Sequence, residues 1–278
     1  MTQDVMDMPP QVQDDDEVPD SVPVPRALVP HLSECALLLD IDGTLLDFAP
    51  TPREVWVPPG LAKTLNRLLE RTSGALALVS GRSLNDIDLI FAPAEYPAVG
   101  GHGAEMRLSG EGESVAAHAP PLDKDLKKRL AAIAQLSPGI LLEDKGYSLA
   151  LHYRLAPHAE KAIYAAVSLI RADLPSAPIE VLPGKLVCEI KHSGFTKATG
   201  VRELMTHEPF KGRRPVFIGD DVTDETVFAI MPDLGGQAFS VGRRAHGVAG
   251  HFDEPRDVRE WLAHLLDDEK LLTEQQRR

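Results

Sequence analysis

Short apolar runs alternate with segments of helical periodicity near both ends of the chain. The apolar runs have four or five residues, end in polar turn residues and occupy 35–39, 75–79, 215–219 and 238–241. Runs this short and this apolar are typical of strands that are buried on both faces. Amphipathic helical segments follow them, at 61–71, after Ser83, over 196–205, from about Asp220 and from about Asp257. Strands that alternate with helices predict an α/β fold with a parallel, Rossmann-like sheet and crossover helices.

The middle of the chain follows a different order. Two helix-like segments are each followed by a pair of strand-like runs, namely 122–136 by 140–144 and 147–154, and 158–173 by 178–182 and 186–191. This αββαββ order predicts an α+β module with an antiparallel sheet and both helices on one face. We therefore expect a core domain split into residues 27–106 and 194–278, with the module inserted over residues 107–193.

Charge is unevenly distributed along the chain. The 278 residues include 29 Lys and Arg against 42 Asp and Glu, a formal charge of −13, and seven of the acidic residues lie within 1–25, which contain no Lys or Arg. That segment also has five prolines, so we expect a disordered acidic tail over residues 1–26 and no signal peptide. The acidic balance argues against nucleic-acid binding, and no apolar stretch is long enough to cross a membrane.

Cysteine content bears on the cellular compartment. Cys35 and Cys188 are the two cysteines of the chain, and both lie in apolar runs. Two such residues do not make a disulfide framework, so we expect reduced thiols and a cytoplasmic location. We also expect a monomer whose partner is a small molecule.

Polar residues that could carry chemistry lie at predicted strand ends and helix starts. They form four clusters, which are Asp40 with Asp42, Ser80-Gly81-Arg82, Lys197, and Asp220-Asp221 with Asp224. Parallel α/β sheets place their ligand sites at the carboxyl ends of strands. Carboxylates from two neighbouring strand ends would repel each other unless a hard cation lay between them, and Mg²⁺ binds such carboxylates together with phosphate oxygens. The pattern therefore predicts a magnesium site that presents a phosphate group.

Hydrolysis of a phosphate monoester needs several groups acting together. Asp40 at a strand end can attack phosphorus, and Asp42, two residues on, can act as the acid and base. Ser80, the backbone near it and Lys197 can bind phosphoryl oxygens. Taken singly, each cluster has an ordinary structural explanation, since Asp42-Gly43 suits a turn and the acidic residues from Asp220 suit a helix cap. Their occurrence together, in this order, favours the catalytic interpretation.

In this order, the motifs Asp-Ile-Asp-Gly-Thr, Val-Ser-Gly-Arg, a single downstream lysine and Gly-Asp-Asp-Val-Thr-Asp-Glu resemble those of haloacid-dehalogenase superfamily phosphatases. The position of the insert is similar to that of members with a C2-type cap. From Ala36 to Leu266 the chain more narrowly resembles trehalose-6-phosphate phosphatases. The particular matches are Gly-His-Gly-Ala-Glu at 101–105, Leu-His-Tyr-Arg at 151–154, and Gly184-Lys185 with Glu189.

The resemblance implies roles for individual residues. Asp40 would be the nucleophile and Asp42 the acid and base. Magnesium would be held by the Asp40 carboxylate, the main-chain carbonyl of Asp42 and Asp220, with Asp224 in support. Phosphate would bind at Ser80, Gly81 and Lys197, and sugar hydroxyls at Lys185 and Glu189. Further residues expected to line the substrate are Arg82, His102, Lys145 and Arg154. Ala198 departs from the family pattern, which usually has glycine after the lysine, and this puts the local helix packing in question.

The implied activity is Mg²⁺-dependent hydrolysis of trehalose 6-phosphate through an aspartyl-phosphate. Three alternatives remain at this point. The substrate could be another sugar phosphate, such as sucrose 6-phosphate or mannosyl-3-phosphoglycerate. The enzyme could be a phosphomutase, which returns the phosphoryl group to a sugar. The protein could also be a catalytically silent regulator. The cap residues have a plainer explanation too, because alternating polar residues on a strand can form its solvent face.

Overall fold

The computed structural model describes residues 31–49, 54–110, 116–117, 119–184 and 186–276. The tail predicted over residues 1–26 and the predicted sugar ligand Lys185 lie outside this part of the chain. The strands are β1 Cys35–Leu39, β2 Leu76–Val79, β3 Ala98–Gly100, β4 Glu105–Arg107, β5 Ala116–Ala117, β6 Leu141–Asp144, β7 Ser148–His152, β8 Ile179–Gly184, β9 Val187–His192, β10 Arg214–Gly219, β11 Gln237–Val241 and β12 Gly250–Phe252. The helices are α1 Leu61–Arg71, α2 Leu84–Phe91, α3 Lys124–Ala131, α4 Glu160–Asp173, α5 Lys197–Leu204, α6 Val222–Ile230 and α7 Pro255–Gln276.

Eight strands form a large sheet in the order β12-β11-β10-β1-β2-β3-β4-β5. Neighbouring strands from β12 to β3 are parallel, whereas β4 and β5 are antiparallel to their neighbours. This confirms the predicted α/β fold with a parallel core sheet. None of the helices in the described part of the chain combines the length and the apolar character needed to cross a bilayer.

Side-chain alternation along β1 divides the core of the large sheet into two layers. Leu37 and Leu39 pack in one apolar cluster, which also contains residues of α1 and α7. Ala36 and Leu38 pack in the other cluster, with residues of α5 and α6. Both faces of β1 are therefore covered by helices, which is the burial expected for a parallel sheet. The polar ends of the strands are consequently the part of the sheet left to form a site.

The inserted module has the predicted element order, α3-β6-β7-α4-β8-β9. Its four strands form an antiparallel sheet in the order β6-β7-β9-β8. A separate apolar cluster joins this sheet to α3 and α4, with Leu126, Ile163 and Val167 among its buried residues. The module thus has its own sheet and its own core.

The large sheet continues past residue 106, where the sequence placed the start of the module. Strands β4 and β5 add to it as far as Ala117. They have three and two residues, too few for an alternating pattern to be recognised in the sequence. We propose that the module begins after β5 and ends before α5.

Candidate active site

Asp40 and Asp220 lie side by side because each directly follows one of two neighbouring strands of the large sheet. Strands β1 and β10 are parallel, and Leu39 pairs with Ile218. Asp40 continues this pairing, since its backbone N–H donates to the Ile218 carbonyl at 2.9 Å. Asp220 follows the end of β10 directly. The sheet register therefore brings together two carboxylates that are 180 residues apart in sequence.

A buried lysine joins Asp40 to a third acidic residue, Asp224. Lys197 is the first residue of α5, which is capped by the Thr196 side chain. Its ammonium donates to Asp40 Oδ1 at 2.8 Å and to Asp224 Oδ1 at 2.7 Å. Lys197, Asp40 and Asp224 are 4%, 3% and 0% exposed. Charge-assisted hydrogen bonds in so dry an environment are strong, and they fix all three side chains.

Three carboxylates at this point could hold a metal ion. Oxygen atoms of Asp40, Asp220 and Asp224 all lie within 4.8 Å of one another. The backbone N–H groups of Asp220 and Asp221 orient the Asp224 carboxylate, donating to its Oδ2 at 3.0 and 3.1 Å. Carboxylate oxygens are the ligands that Mg²⁺ and similar hard cations prefer. The donor set therefore fits the predicted ion.

The cluster of Asp40, Asp220, Asp224 and Lys197 contains more buried acidic groups than basic ones. Burial raises the pKa of Asp40 to about 7, although Lys197 acts in the opposite direction. Burial, followed by the charges of Asp224 and Asp221, raises the pKa of Asp220 to about 7. Burial, followed by the charge of Asp40, raises the pKa of Asp224 to about 8. Burial opposes the charged form of Lys197, but Asp40 and Asp224 outweigh it, so the lysine pKa is raised. A bound cation would relieve this repulsion.

Asp42 makes a different contact from the other predicted metal residues. Arg82 donates from Nε to Asp42 Oδ2 and from Nη2 to Asp42 Oδ1, both at 2.6 Å. A bidentate pair of this kind fixes the plane of the carboxylate as well as its position. The Asp42 carboxylate therefore does not belong to the three-carboxylate group found among the described residues. The main-chain carbonyl of Asp42, the atom that the resemblance indicates as a metal ligand, stays a prediction.

Glycine is required at position 43, in the turn that follows β1 and Asp42. Its φ of +78° lies in the left-handed region, which favours glycine. A Cβ at this position would lie 2.3 Å from Asp220 Oδ2 and 2.6 Å from Cζ of Phe48. The glycine thus allows the backbone after β1 to approach the carboxylate that follows β10.

The Ser80-Gly81-Arg82 segment is the turn after β2, and His102 covers it. The His102 backbone N–H donates to the Ser80 carbonyl at 3.1 Å, and a Cβ on Gly81 would lie 2.4 Å from His102 Nε2. Burial lowers the pKa of His102 to about 4, so its imidazole is neutral at pH 7. Its Nδ1 is buried and has no hydrogen-bond partner in the described residues. Ser80 is also buried, and its Oγ accepts from the Arg82 N–H at 3.2 Å.

Of the predicted sugar-binding residues, the structure brings Lys145 and Glu189 together. Lys145 Nζ lies 3.6 Å from Glu189 Oε1, and the Ser148 hydroxyl donates to the same oxygen at 2.7 Å. Arg154 is exposed and follows the opposite end of β7 from Lys145. Lys145 and Glu189 therefore form a charged pair on the module, and Arg154 lies beyond the other end of β7.

The packing question raised by Ala198 is answered two residues further along α5. Ala198 is buried in the apolar cluster of that face, while Gly200 makes the close approach to the sheet. A Cβ on Gly200 would lie 2.4 Å from Val99 Cγ1 and 3.1 Å from the Gly103 Cα. The helix that positions Lys197 is therefore seated by Gly200, so alanine is tolerated at position 198.

One residue missed as functional, Glu105, supports the turn after β2. Its Oε2 accepts from the Leu84 N–H at 2.6 Å, at the first residue of α2. A carboxylate at the first turn of a helix satisfies a free N–H group and favours the helix dipole. Glu105 belongs to the quoted Gly-His-Gly-Ala-Glu match, and that motif was the available signal.

Comparison with known proteins agrees with this geometry. A family model described as Trehalose-phosphatase matches residues 38–251. A probable trehalose-phosphate phosphatase of Sinorhizobium fredii is 43% identical over 218 residues, which are 78% of this chain and 81% of that protein. A trehalose-6-phosphate phosphatase of Escherichia coli is 38% identical over 241 residues, 86% of this chain and 89% of that protein. The solved C-terminal domain of a C. albicans trehalose-6-phosphate phosphatase has a similar fold, with a TM-score of 0.68 at 21% identity, covering 84% of this chain and 92% of that one.

Proposed function

The chain belongs to the trehalose-phosphatase family, and on this premise we propose that it hydrolyses trehalose 6-phosphate to trehalose and inorganic phosphate. One observation carries the proposal more than any other. Buried acidic residues from two distant motifs meet at a single lysine, with Lys197 donating to both Asp40 and Asp224. Such a group suits transfer of a phosphoryl dianion, because it fixes a nucleophile beside both positive charge and a cation site.

The first step assigns Asp40 as the nucleophile. An Asp40 carboxylate oxygen attacks phosphorus, the bond between phosphorus and the sugar oxygen breaks, and the leaving oxygen takes a proton from Asp42. The product of this step is an aspartyl-phosphate on Asp40. Lys197 favours the ionised form of the attacking carboxylate and orients it through its 2.8 Å hydrogen bond. To act as the acid, Asp42 has to carry a proton, so it must leave its bidentate pair with Arg82.

The second step uses Asp42 as the base. The ionised Asp42, held by Arg82 through two 2.6 Å bonds, takes a proton from water as the water attacks phosphorus and Asp40 departs. Ser80 and the backbone at Gly81 bind the phosphoryl oxygens in both steps. Asp40, Asp220 and Asp224 would hold the magnesium ion, which when bound supplies positive charge against the phosphoryl oxygens.

Sugar recognition is assigned to the inserted module. Lys145 and Glu189 supply a donor and an acceptor for hydroxyl groups, and Ser148 orients Glu189. His102 contributes a neutral imidazole from the large domain, beside the phosphate turn. Lys185 and Arg154 complete the proposed set on the strength of the resemblance. A cap with such groups closes over the substrate and excludes water from the phosphoryl site.

A phosphate-release assay over several sugar phosphates tests the proposal. Trehalose 6-phosphate, sucrose 6-phosphate, mannosyl-3-phosphoglycerate and glucose 6-phosphate are compared in Mg²⁺, and the sugar products are identified. We expect trehalose and phosphate in equal amounts, with trehalose 6-phosphate the best substrate. Faster turnover of another sugar phosphate would reassign the substrate. Recovery of an isomeric sugar phosphate without free phosphate would indicate a phosphomutase.

Two further properties belong to the same proposal. Cys35 and Cys188 are thiols buried in separate parts of the fold, which supports a reducing compartment such as the cytoplasm. We also propose a monomer as the active form, since the two domains of one chain supply every group named above.

A further inference from the structure

A tyrosine of the inserted module is seated on the large domain. Tyr147 lies between β6 and β7 and is 3% exposed. Its ring covers Gly101, where a Cβ would lie 2.4 Å from the phenolic oxygen and 2.8 Å from Cζ. Gly101 also has a φ of +54°, in the left-handed region. Glycine is thus required at this position both for the backbone and for the ring above it.

The contact between Tyr147 and Gly101, here called the seat, lies beside both chain connections between the two domains. Tyr147 forms a small buried cluster with Ala104 and Ala119, against which Phe195 packs. Ala119 lies on the connection into the module, and Phe195 lies on the connection out of it. The buried Lys191 donates to the Phe195 carbonyl, which ties the second connection to β9. Tyr147 is therefore in a position to set how the module sits on the large domain.

Both sides of this contact lead to substrate-binding groups. On the large domain, the Gly101 N–H donates to the Arg82 carbonyl at 2.7 Å, in the turn that binds phosphate. On the module, Tyr147 follows Lys145 by two residues and precedes Ser148, the hydrogen-bond donor to Glu189. The ring of Tyr147 therefore lies between the phosphate-binding turn of the large domain and the sugar-binding group of the module, within a few residues of each along the chain.

We propose that Tyr147 is a positioning residue that fixes the distance between the sugar-binding group of the module and the phosphate-binding turn. This proposal rests on the proposed function, because it concerns a substrate with both a sugar and a phosphate end. Misplacing a binding group by about 1 Å costs up to about a hundredfold in rate. A substrate without a sugar end does not need the module group, so it is insensitive to that misplacement.

The ring is the part of Tyr147 that acts. Its hydroxyl is buried beside the Glu105 carboxylate, but among the residues described here the two groups do not have the geometry of a hydrogen bond. Burial, followed by the charge of Glu105, raises the pKa of the hydroxyl. Removing an unsatisfied buried hydroxyl while keeping the ring is close to neutral or stabilising. Phenylalanine at this position should therefore keep the module in place, whereas alanine should not.

The test measures turnover of trehalose 6-phosphate and of p-nitrophenyl phosphate. Four variants are compared with wild type, namely Tyr147→Ala, Tyr147→Phe, Gly101→Ala and the double alanine variant. Tyr164→Ala, in α4, is a control in the module core. For Tyr147→Ala we expect kcat/KM for trehalose 6-phosphate to fall about tenfold to a hundredfold. Turnover of p-nitrophenyl phosphate should stay within about twofold, which also shows that the core is folded. Tyr147→Phe should restore wild-type values. Gly101→Ala, which fills the seat, should repeat the selective loss, and the double variant should lose no more than the worse single one.

Three outcomes would overturn the proposal while wild-type enzyme hydrolyses trehalose 6-phosphate. They are equal losses on both substrates, a Tyr147→Phe variant as impaired as Tyr147→Ala, and the same selective loss in Tyr164→Ala. Wild-type enzyme that releases phosphate from p-nitrophenyl phosphate but not from trehalose 6-phosphate would instead refute the proposed function and this inference with it.

Discussion

Replacing Lys197 with methionine removes the buried charge that joins Asp40 to Asp224 while keeping most of the side-chain volume. Lys197 makes two short hydrogen bonds to carboxylates, and all three side chains are almost fully buried. Breaking a buried ion pair by removing one partner costs about 3–5 kcal/mol, because the other charge stays buried. With a urea slope of about 2.5 kcal/mol/M, a loss of about 4 kcal/mol lowers the unfolding midpoint by about 1.5 M.

The pH dependence of this loss follows from the pKa values of the carboxyl groups. In the folded protein the pKa of Asp40 and of Asp220 is about 7 and that of Asp224 about 8, against 3.8 when unfolded. Because these values are raised, the folded state binds more protons than the unfolded state, and stability falls as the pH rises from about 4 to about 8. Without Lys197 the fall is steeper. The variant should therefore differ from wild type far more at pH 8 than at pH 5.5.

Urea unfolding in EDTA at both pH values, followed by circular dichroism, measures the effect. Arg202→Met is the matched control, since it removes a cation from the same helix. Arg202 pairs with Asp233 at 2.7 Å, but the two side chains are 45% and 65% exposed, so its loss should stay below about 1 kcal/mol. A Lys197→Met loss that is as small as the control at pH 8, or the same at both pH values, would refute this account of the cluster.

Three more predictions concern the metal, the acid–base pair and the buried histidine. Chelation of divalent ions should abolish turnover reversibly, and full activity in EDTA would contradict the metal site. Added Mg²⁺ should raise the melting temperature more at pH 8 than at pH 5.5, because Asp40, Asp220 and Asp224 bind it in their ionised forms. Arg82→Lys should lower kcat about tenfold, since an ammonium cannot replace the bidentate grip on Asp42; unchanged kcat would show that the pair does not matter. The lowered pKa of His102, about 4, contributes stability that is present above pH 6.5 and is lost as the pH falls towards 4. The stability of His102→Asn, where asparagine tolerates the left-handed backbone, should therefore rise relative to wild type as the pH falls over that range; a difference in urea midpoint that does not change with pH would contradict the burial argument.

The position of acidic residues at strand ends could be predicted from the sequence. Asp40 and Asp220 lie where the apolar runs stop, and parallel pairing of β1 with β10 makes such ends meet. The cap at Ser83 was also readable, and its side chain accepts from the Asp86 N–H at 3.2 Å. These features depend on local pattern together with one rule of sheet topology.

The exact start of a helix and the contacts between distant side chains could not be predicted from the sequence. The last helix, predicted to start near Asp257, begins at Pro255, and Asp257 Oδ2 accepts from the Glu254 N–H at 3.1 Å. Proline suits the first turn of a helix, since its missing N–H has no partner there. The bidentate pairing of Asp42 with Arg82 and the seat of Tyr147 depend on side-chain torsions and on domain placement, about which periodicity carries no information.

Hydrolysis by an Asp40→Asn variant tests the central claim most directly. Asparagine keeps the size of the side chain but removes the nucleophilic carboxylate, so we expect release of phosphate from trehalose 6-phosphate to fall by at least about a thousandfold with folding intact. Asp47→Asn is the control from the same loop, where the exposed carboxylate lies 3.3 Å from Arg259, and it should stay within about twofold of wild type. An Asp40→Asn variant that keeps more than about a tenth of wild-type turnover would show that phosphoryl transfer does not proceed through this carboxylate.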